Sequence, residues 1–471
     1  MPTSPELCPS CLPTQSPDGN ECTVCSAAAE RARKVEPSFQ IKPGLYLIGS
    51  LERGLTVYSQ QVRAHNLVWS LWELQRRGQL NVGNRIAIIG GGIAGLTAAA
   101  CFFSRFGDSV SLTLFEERSD LCPIQQGSDH RWLHPKIYDW PRYGSRSPGA
   151  SLPVLNWTEG RASDVTRTII LEFNRFTESF CKGEDQLTIY LGLKNLRVTA
   201  ATNEIEWTAS RTRRTGGFLP MDADIGDKSS FDTIVLAPGF GLERSLDAAA
   251  THSYWRNDQL GQPVLDGSRK EFIVSGFGDG ALIDLCRLTI ERYRQDTILY
   301  ELFSDELEQT EQYLAAAWVD AGPPENAFKF FTELEGTILA RAKAELRSRI
   351  RKDTRVILHI GGEDGAIRSI SDIFGPRSSF QNRMMTFLLY RCGAFSPRTE
   401  SLETLIKTRN IDDANVLRRY GPNALAHVAK MFTDIAQIEN RLKEIKDRHE
   451  QAPELFWEPG SFPQYKKKGN A

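Results

Sequence analysis

One pattern of apolar and polar positions occurs twice along the chain: a short β-branched run, a glycine-rich turn, and then an apolar run with helical spacing. In its first copy, residues 85–89 predict a strand and the apolar residues from position 96 onwards predict a helix. Residues 111–115 predict a second strand, which ends at Glu116. The pattern therefore predicts a β-α-β unit with a glycine turn between its first strand and its helix.

The spacing of this turn, Gly90-x-Gly92-x-x-Gly95, is typical of a dinucleotide site. The first glycine permits the tight turn, the second lets the backbone approach a pyrophosphate, and the third lets helix and strand pack closely. The N-terminus of the helix attracts phosphate, and Glu116 can accept hydrogen bonds from a ribose. An ordinary glycine-rich turn would explain the glycines, but it would not explain the second strand and its terminal acid.

The second copy begins with an apolar run over residues 270–275 and continues through Gly276-x-Gly278-Asp279-x-Ala281 into a predicted helix. Residues 297–301 predict the next strand, which ends at Glu301 in the place that Glu116 holds after the first turn. The sequence therefore predicts a second Rossmann-like unit.

The region between the two copies predicts a helix over residues 162–181 and then a β-meander. Short strands are expected near residues 187–193, 196–201, 204–209 and 217–221, and a buried strand over residues 231–239 ends at Gly239. Ahead of the first turn, residues 27–43 predict a polar linker, residues 44–49 a short strand and residues 60–74 a helix. The polar residues that begin this helix predict a solvated face or, as an alternative, contacts to a phosphate or ribose: Gln60, Gln61, Arg63 and Asn66.

Residues 84–305 resemble the two-dinucleotide-binding-domain flavoproteins, the group that includes thioredoxin reductases and flavin-containing monooxygenases. The flavin domain of that family carries the first glycine turn, a ribose acid, a β-meander and a strand that ends in Ala-x-Gly, here Ala237-Pro-Gly239. The resemblance implies FAD at the first turn. It implies NAD(H) at the second, because the nicotinamide domain of the family has the turn Gly-x-Gly-Asp-Ser-Ala.

Two features of the second copy bear on the nicotinamide. Glu301 is followed by acidic residues and no Arg or Lys, so it would accept from a free 2′-hydroxyl and repel a 2′-phosphate, which favours NADH over NADPH. In a rival interpretation, residues 273–279 are the late strand ending in Gly-Asp that the family's flavin domains carry, and there is no nicotinamide domain. If the nicotinamide interpretation holds, residues 355–364 become the candidate for that late strand.

The resemblance implies an FAD-dependent oxidoreductase that takes hydride from NADH and passes electrons to a small-molecule substrate or oxygen. Three residues of the loop after Glu116 are candidates for catalysis: Arg131 to balance a reduced flavin, and His134 and Tyr138 to move a proton. A structural loop would explain them equally well. Residues 253–258 line the same cleft or only link the domains. Outside the N-terminus there is no Cys-x-x-Cys for disulfide reduction, and the Phe-x-Gly-x-x-x-His fingerprint of the monooxygenases is missing.

Four cysteines near the N-terminus predict a zinc knuckle, because two Cys-x-x-Cys turns supply the four ligands of a tetrahedral site: Cys8, Cys11, Cys22 and Cys25. Disulfides or unrelated cysteines are the alternatives. At the other end, residues 326–352 and 424–449 show helical spacing. Their apolar stripes could pack on their own domain, or they could pair with a protein partner or a second copy of the chain.

Composition narrows the range of functions. The chain has 471 residues, 41% hydrophobic residues and a net charge of −2, so it is long enough for several domains and gives no support for nucleic-acid or membrane binding. The N-terminus has no signal-peptide pattern, and a cytoplasmic location is expected.

Taken together, these patterns predict an α/β protein with four parts: a zinc knuckle and linker (1–35), a Rossmann-like FAD domain with a β-meander (36–245), a Rossmann-like NAD(P) domain (246–325) and a mainly helical region that partly completes the FAD domain (326–471). The alternative function is a non-catalytic FAD- or NAD-binding sensor, which would engage a partner through the zinc knuckle and the C-terminal helices.

Overall fold

The computed structural model describes residues 23–49, 51, 55–181, 186–214, 217–219, 225–239, 253–320, 327–361, 367–421, 423–448 and 454–463. Two α/β units follow one another along the chain, and each is built around its own sheet. The predicted mixed α/β class is confirmed.

The first unit has a large mixed sheet with helices. In chain order its elements are α1 (Thr23–Phe39), β1 (Gln40–Lys42), β2 (Leu45–Leu47), α2 (Val57–Gln75), β3 (Arg85–Ile89), α3 (Ile93–Phe106), β4 (Ser111–Glu116), β5 (Trp132–Leu133), β6 (Gly160–Arg161), α4 (Ala162–Phe180), β7 (Leu187–Thr199), β8 (Glu204–Arg214), β9 (Gly217–Leu219), β10 (Ile225–Ser230) and β11 (Thr233–Leu236).

The strands of this sheet lie in the order β1-β2-β11-β3-β4-β7-β8-β10, and β9 pairs with β8. The central strands from β2 to β7 are parallel, and the meander from β7 onwards is antiparallel. The β-meander is therefore present, but the two strands predicted on either side of residue 195 are one long strand, β7, with an irregularity between Leu193 and Asn195.

Both faces of the parallel strands are covered, as parallel sheets require. Along β3, Ile86 and Ile88 pack into the core beneath the helices of the first unit, whereas Ala87 and Ile89 face the opposite core. The residues that close this opposite face come from the C-terminal end of the chain, among them Val428.

The second unit has a smaller sheet. In chain order, it and the C-terminal region contain β12 (Lys270–Ser275), α5 (Asp279–Thr289), α6 (Ile298–Phe303), α7 (Leu307–Asp320), α8 (Ala327–Leu334), α9 (Ala340–Ser348), β13 (Thr354–His359), α10 (Phe380–Arg391), β14 (Phe395–Arg398), α11 (Leu402–Arg409), β15 (Val416–Arg418), α12 (Ala424–Ala429) and α13 (Glu439–Arg448). The strand order is β14-β13-β12-β15, and all pairs are parallel.

The prediction of a strand over residues 297–301 is wrong, because Ile298–Phe303 form the helix α6. Ile298, Leu299, Leu302 and Phe303 are buried. These positions are i, i+1, i+4 and i+5, which share one face of a helix but not of a strand. The neighbour of β12 is instead β13, which pairs with it from Lys270 to Ser275. Glu301 therefore lies on a helix, where it accepts a hydrogen bond from Thr297 Oγ1 (2.7 Å) and forms an ion pair with Arg349.

The boundaries of the second unit also change. Strands β13, β14 and β15 follow residue 326, so the second unit extends through most of the region that was predicted to be mainly helical. Neither candidate for a late strand of the first sheet lies in that sheet, because residues 273–275 belong to β12 and residues 355–359 to β13. The place beside β11 is filled by β2, which precedes the first glycine turn in the sequence.

The linker predicted over residues 27–43 is mostly helix α1, because Ala28, Ala32, Val35 and Phe39 form one buried stripe. The C-terminal helices pack on their own chain, with Leu442 and Ile445 of α13 buried in the core of the first sheet. Within the described ranges, no helix has the length and apolar character needed to cross a bilayer.

Candidate functional site

The first glycine turn is packed closely against the protein at two of its glycines and is open at the third. Gly90 has φ +115°, and a Cβ atom there would lie 2.1 Å from the carbonyl oxygen of Ala237. A Cβ atom on Gly95 would lie 1.9 Å from the carbonyl oxygen of Gly90, so this glycine lets α3 pack against the turn. Gly92, the N-cap of α3, has no atom within 4 Å of an added Cβ. The turn is therefore closed on the protein side and open at Gly92.

Glu116 lies at the end of β4, beside this turn. Its carboxylate accepts hydrogen bonds from the backbone N–H groups of Gly91 (2.7 Å) and Arg118 (2.8 Å). Burial raises the pKa of Glu116, and these two hydrogen bonds act in the opposite direction. A carboxylate has lone pairs for further donors, so Glu116 holds the turn and remains able to accept from a ribose hydroxyl.

The parallel strands β2, β11, β3 and β4 end at the same edge of the sheet. Gly239 follows β11 with φ +67°, is exposed and has open space around it. Gly49 follows β2, and its carbonyl oxygen accepts a hydrogen bond from Gln60 Nε2 (2.9 Å). The strand end at Gly239 is therefore open, whereas the one at Gly49 is buried beneath Gln60 and Arg63.

The polar residues at the start of α2 are buried, so the expectation of a solvated helix face is wrong. Gln61 donates to Thr97 Oγ1 (3.2 Å) and accepts from Trp157 Nε1 (2.6 Å). Arg63 is 3% exposed and passes Gly49, where an added Cβ would lie 2.7 Å from Arg63 Cδ; burial lowers the pKa of Arg63 to about 9. Gln60 and Arg63 therefore connect α2 to Gly49, at the end of β2.

The second glycine turn repeats this geometry. Gly276 has φ +122°, and an added Cβ would lie 2.3 Å from the carbonyl oxygen of Arg419. Gly278 is the N-cap of α5, and no atom lies within 4 Å of an added Cβ. Ala281 is fully buried. The second turn is therefore also open at its middle glycine.

Backbone hydrogen bonds identify the second unit's counterpart of Glu116. Gly90 N–H donates to the carbonyl oxygen of Phe115 (2.7 Å), and Gly276 N–H donates to that of His359 (3.0 Å). The residue after His359 is Ile360, which is 1% exposed and has no polar side chain. Glu301 thus has no place at this strand end, and the reason for expecting NADH over NADPH is lost. The β-branched run before Ile360 was the available sequence signal.

Asp279 is the first residue of α5, and its carboxylate is directed to another helix. Oδ1 accepts hydrogen bonds from the backbone N–H of Ser379 (2.8 Å), the N-cap of α10, and from Asn382 Nδ2 (2.6 Å). Burial raises the pKa of Asp279, and the hydrogen bond from Ser379 opposes this effect. The N-termini of α5 and α10 are consequently held side by side.

Arg131 joins the loop after β4 to the second unit. Its guanidinium donates to Asp284 Oδ1 (2.5 Å) and to Asp258 Oδ2 (3.0 Å), and its Cζ atom lies 4.0 Å from the ring centre of Tyr254. Burial alone would lower the pKa of Arg131, but Asp284, Tyr254 and Asp258 together raise that pKa above its usual value. Asp284 also pairs with Arg419 (2.8 Å). Asp258 and Asp284 also pair with Arg287, so Arg131 belongs to a buried cluster of ion pairs between the units, and its role towards a flavin stays a prediction.

The other two catalytic candidates lie in different surroundings. His134 Nδ1 accepts from the backbone N–H of Ile137 (3.0 Å), and Nε2 lies 3.2 Å from Glu159 Oε2. Burial lowers the pKa of His134 to about 4, so the imidazole is neutral near pH 7. Tyr138 lies near Tyr254 and Asp279, and burial raises its pKa. Tyr138 therefore lies on the side of the second turn, whereas His134 is engaged with its own loop.

The segment at residues 253–258 crosses between the units. The ring of Tyr254 lies against the second turn, 3.3 Å from an added Cβ on Gly280, and Trp255 packs against the core of the first unit. Both interpretations of this segment, a linker and a lining of the cleft, are thus compatible with its position.

The predicted zinc ligands Cys8, Cys11 and Cys22 lie outside the described residues. Cys25 falls in the first turn of α1, and its side chain is not among those that the structure describes. Across the residues that are described, no group of three or more His, Cys, Asp or Glu side chains could hold a metal ion. The zinc knuckle stays a prediction.

Comparison with known proteins gives no family for this chain. No protein family model matches the sequence, and a search of curated proteins found no match.

Proposed function

We propose that the protein is an FAD-dependent oxidoreductase that takes hydride from a reduced nicotinamide dinucleotide and passes electrons to a small-molecule substrate or oxygen. The observation that carries the proposal is that two glycine turns with the same geometry follow parallel strands in two separate sheets, and the salt bridge between Arg131 and Asp284 (2.5 Å) joins the two units. One dinucleotide site is enough to bind a cofactor, whereas two sites in adjoining units suit transfer between two cofactors.

The residues of the first turn fit FAD. Gly92 leaves the space that a pyrophosphate needs, the N-terminus of α3 favours its charge, and Glu116 is fixed where a ribose hydroxyl can donate to it. Gly239 keeps the neighbouring strand end open. When bound, FAD would supply the acceptance of hydride and its delivery to the final acceptor.

The residues of the second turn fit a nicotinamide dinucleotide. Gly278 leaves the corresponding space at the N-terminus of α5, and Ala281 permits close packing of that helix. Because Ile360 occupies the position of a ribose acid, the proposal covers NADH and NADPH without preference. The side chains of Tyr138 and Tyr254 would border the ligand on the side that faces the first unit.

A non-catalytic sensor that holds FAD or NAD is the second candidate, and one observation favours it. The two ionisable candidates for catalysis are engaged in protein contacts, Arg131 with Asp284 and His134 with its own loop. In this case the predicted zinc knuckle would engage a partner, whereas the C-terminal helices already pack on the first sheet.

A cytoplasmic location belongs to the same proposal. The described cysteines are free: Cys101, Cys122, Cys181, Cys286 and Cys392. Free thiols suit a reducing compartment.

Anaerobic spectroscopy separates the two candidates. We expect the purified protein to be yellow, and NADH or NADPH to bleach its flavin absorbance within seconds. A Gly278→Ala variant should keep the flavin but lose bleaching, because the methyl group fills the second turn only. A colourless wild-type protein that takes up no added FAD would refute the flavoprotein proposal, and a flavin that neither nucleotide reduces would favour the sensor.

A further inference from the structure

Residues 454–463, which we call the C-terminal strap, lie across helices α2 and α3 of the first unit. Asn66 of α2 binds the strap at two points, because its side chain donates to the carbonyl oxygen of Glu454 (2.8 Å) and accepts from the backbone N–H of Phe456 (3.1 Å). The carbonyl oxygen at the other end of the strap accepts from Ser104 Oγ of α3 (2.7 Å). The strap is therefore fixed at both of its ends.

Two aromatic side chains of the strap pack against His65, the neighbour of Asn66 on α2. The ring centre of Trp457 lies 4.8 Å from that of His65, and the ring of Phe462 meets His65 edge-on with the centres 5.0 Å apart. His65, Asn66 and Phe462 are buried. The strap thus covers the side of α2 that carries His65 and Asn66.

A path of hydrogen bonds leads from this side of α2 to the first glycine turn. His65 Nδ1 donates to the carbonyl oxygen of Gln61 (2.8 Å), which can only accept. Gln61 Nε2 donates to Thr97 Oγ1 (3.2 Å), and Thr97 Oγ1 donates to the carbonyl oxygen of Ile93 (2.8 Å). Because Ile93 follows the N-cap Gly92, Gln61 reaches the first turn of α3.

The side-chain amide of Gln61 has little freedom to move. It also donates to the carbonyl oxygen of Leu155 (3.0 Å) and accepts from Trp157 Nε1 (2.6 Å), and both Gln61 and Thr97 are fully buried. A shift of α2 would break these hydrogen bonds inside the core, where unpaired polar groups are unfavourable. A displacement of α2 is consequently passed on to the first turn of α3.

We propose that the C-terminal strap positions the first turn of α3 through α2, and that docking of the strap is coupled to the binding of FAD. Trp457, His65 and Asn66 act through Gln61, so they are positioning residues. This inference rests on the proposed FAD site at the first glycine turn and adds a distant part of the chain on which that site depends. Coupling between two sites is reciprocal, so bound FAD must hold the strap in place as strongly as the docked strap favours FAD.

The first test is titration of the apoprotein with FAD, followed by quenching of flavin fluorescence. We expect Trp457→Ala to weaken FAD binding about 10-fold, which lies within the usual range for coupled sites. Trp457→Phe keeps an aromatic ring against His65 and should restore most of the affinity. Leu455→Ala is the matched control, because Leu455 belongs to the strap and is 55% exposed. Unchanged affinity in Trp457→Ala, or an equal loss in Leu455→Ala, would overturn the inference.

Amide hydrogen exchange measures the same coupling in the other direction and needs no variant. Saturating FAD should slow exchange of the Phe456 N–H, which donates to Asn66, by about 10-fold. The control is the N–H of Val198, which donates to the carbonyl oxygen of Met431 (2.7 Å) and belongs to the opposite core. In Gln61→Ala, FAD should no longer slow Phe456. A strap that only stabilises the fold would show no response to FAD at Phe456, or the same response as at Val198, and either result would overturn the inference.

The failure of the proposed function gives a different pattern. If the wild-type protein binds no FAD, the flavoprotein proposal fails together with the coupling, and the apoprotein still decides whether the strap positions α3. There Trp457→Ala should speed exchange of the Leu96 N–H, which donates to the carbonyl oxygen of Gly92 (3.0 Å) and closes the first turn of α3, and Leu455→Ala should not. Equal exchange of Leu96 in Trp457→Ala and wild type would overturn the positioning role.

Discussion

Adding a methyl group at two glycines of the first turn should separate folding from ligand binding. Gly92 has φ −76° and ψ 178°, a conformation that alanine adopts readily, and an added Cβ would meet no atom within 4 Å. At Gly95 the added Cβ would lie 1.9 Å from the carbonyl oxygen of Gly90. Gly92→Ala therefore fills the ligand space, whereas Gly95→Ala pushes α3 away from the turn.

The expected magnitudes follow from these distances. Gly92→Ala should change the free energy of unfolding by less than about 1 kcal/mol, because its backbone is unstrained and its surroundings are open. Gly95→Ala should lower the free energy of unfolding by about 1–3 kcal/mol or more. The added Cβ and the carbonyl oxygen of Gly90 are both held by the backbone, so neither can move aside easily. For a protein of this size each kcal/mol lowers Tm by about 2–4 °C.

The affinity for FAD should fall in Gly92→Ala, although this variant is expected to be nearly as stable as wild type. A methyl group at Gly92 would remove backbone contacts to phosphate, and hydrogen bonds to charged groups are each worth about 1.5–3 kcal/mol. We therefore expect FAD to bind Gly92→Ala about 10- to 100-fold more weakly than wild type.

Thermal unfolding by circular dichroism and titration of the apoprotein with FAD, followed by quenching of flavin fluorescence, measure the two effects. Equal FAD affinity in Gly92→Ala and wild type would refute the assignment of this turn as the phosphate site. A loss of stability in Gly92→Ala as large as that in Gly95→Ala would refute the steric argument.

Three further predictions concern charged and titratable groups. Glu301→Arg should leave the ratio of NADH to NADPH activity unchanged and lower stability slightly, since Glu301 pairs with Arg349 on a helix; a switch in preference, seen in steady-state kinetics, would contradict this. Asp284→Asn should destabilise by about 3–5 kcal/mol in denaturant unfolding, because three arginines, Arg131, Arg287 and Arg419, pair with this fully buried carboxylate; a change below about 1 kcal/mol would show that Asp258 and solvent compensate these arginines. Burial lowers the pKa of His65 to about 4, below the ordinary 6.5, so the unfolded chain binds more protons between these values and stability falls as pH falls through this range. His65→Phe should reduce the loss of unfolding free energy between pH 7 and pH 4.5 by about 2 kcal/mol, and an unchanged pH dependence would exclude His65 as its source.

Both glycine turns could be predicted from sequence because each depends on residues that are neighbours in the chain. A β-branched run, glycines at fixed spacing and a following helical stripe are local features, and Gly90 and Gly276 indeed have nearly the same φ. The β-meander was predicted for the same reason. The exception is residues 297–301, where five residues fitted a strand and a helix alike until their burial pattern was known.

The identity of sheet neighbours depended on residues far apart in the chain. That β2 lies beside β11, and that β13 lies beside β12, is decided by which apolar faces remain to be covered once the helices have packed. This placement in turn buries the polar start of α2 and brings Ile360, rather than Glu301, to the end of the strand beside the second turn.

The sequence by itself determined two glycine turns and the α/β class, because backbone conformation at a glycine and helical periodicity are set by local sterics and hydrophobicity. Only the tertiary structure decided which charged side chains are paired with one another. Arg131 and Asp284 are distant in the chain, and their contact places a predicted catalytic arginine in a buried cluster of ion pairs. The C-terminal strap likewise reaches α2 only through folding, because Asn66 must meet Phe456 to place Trp457 beside His65.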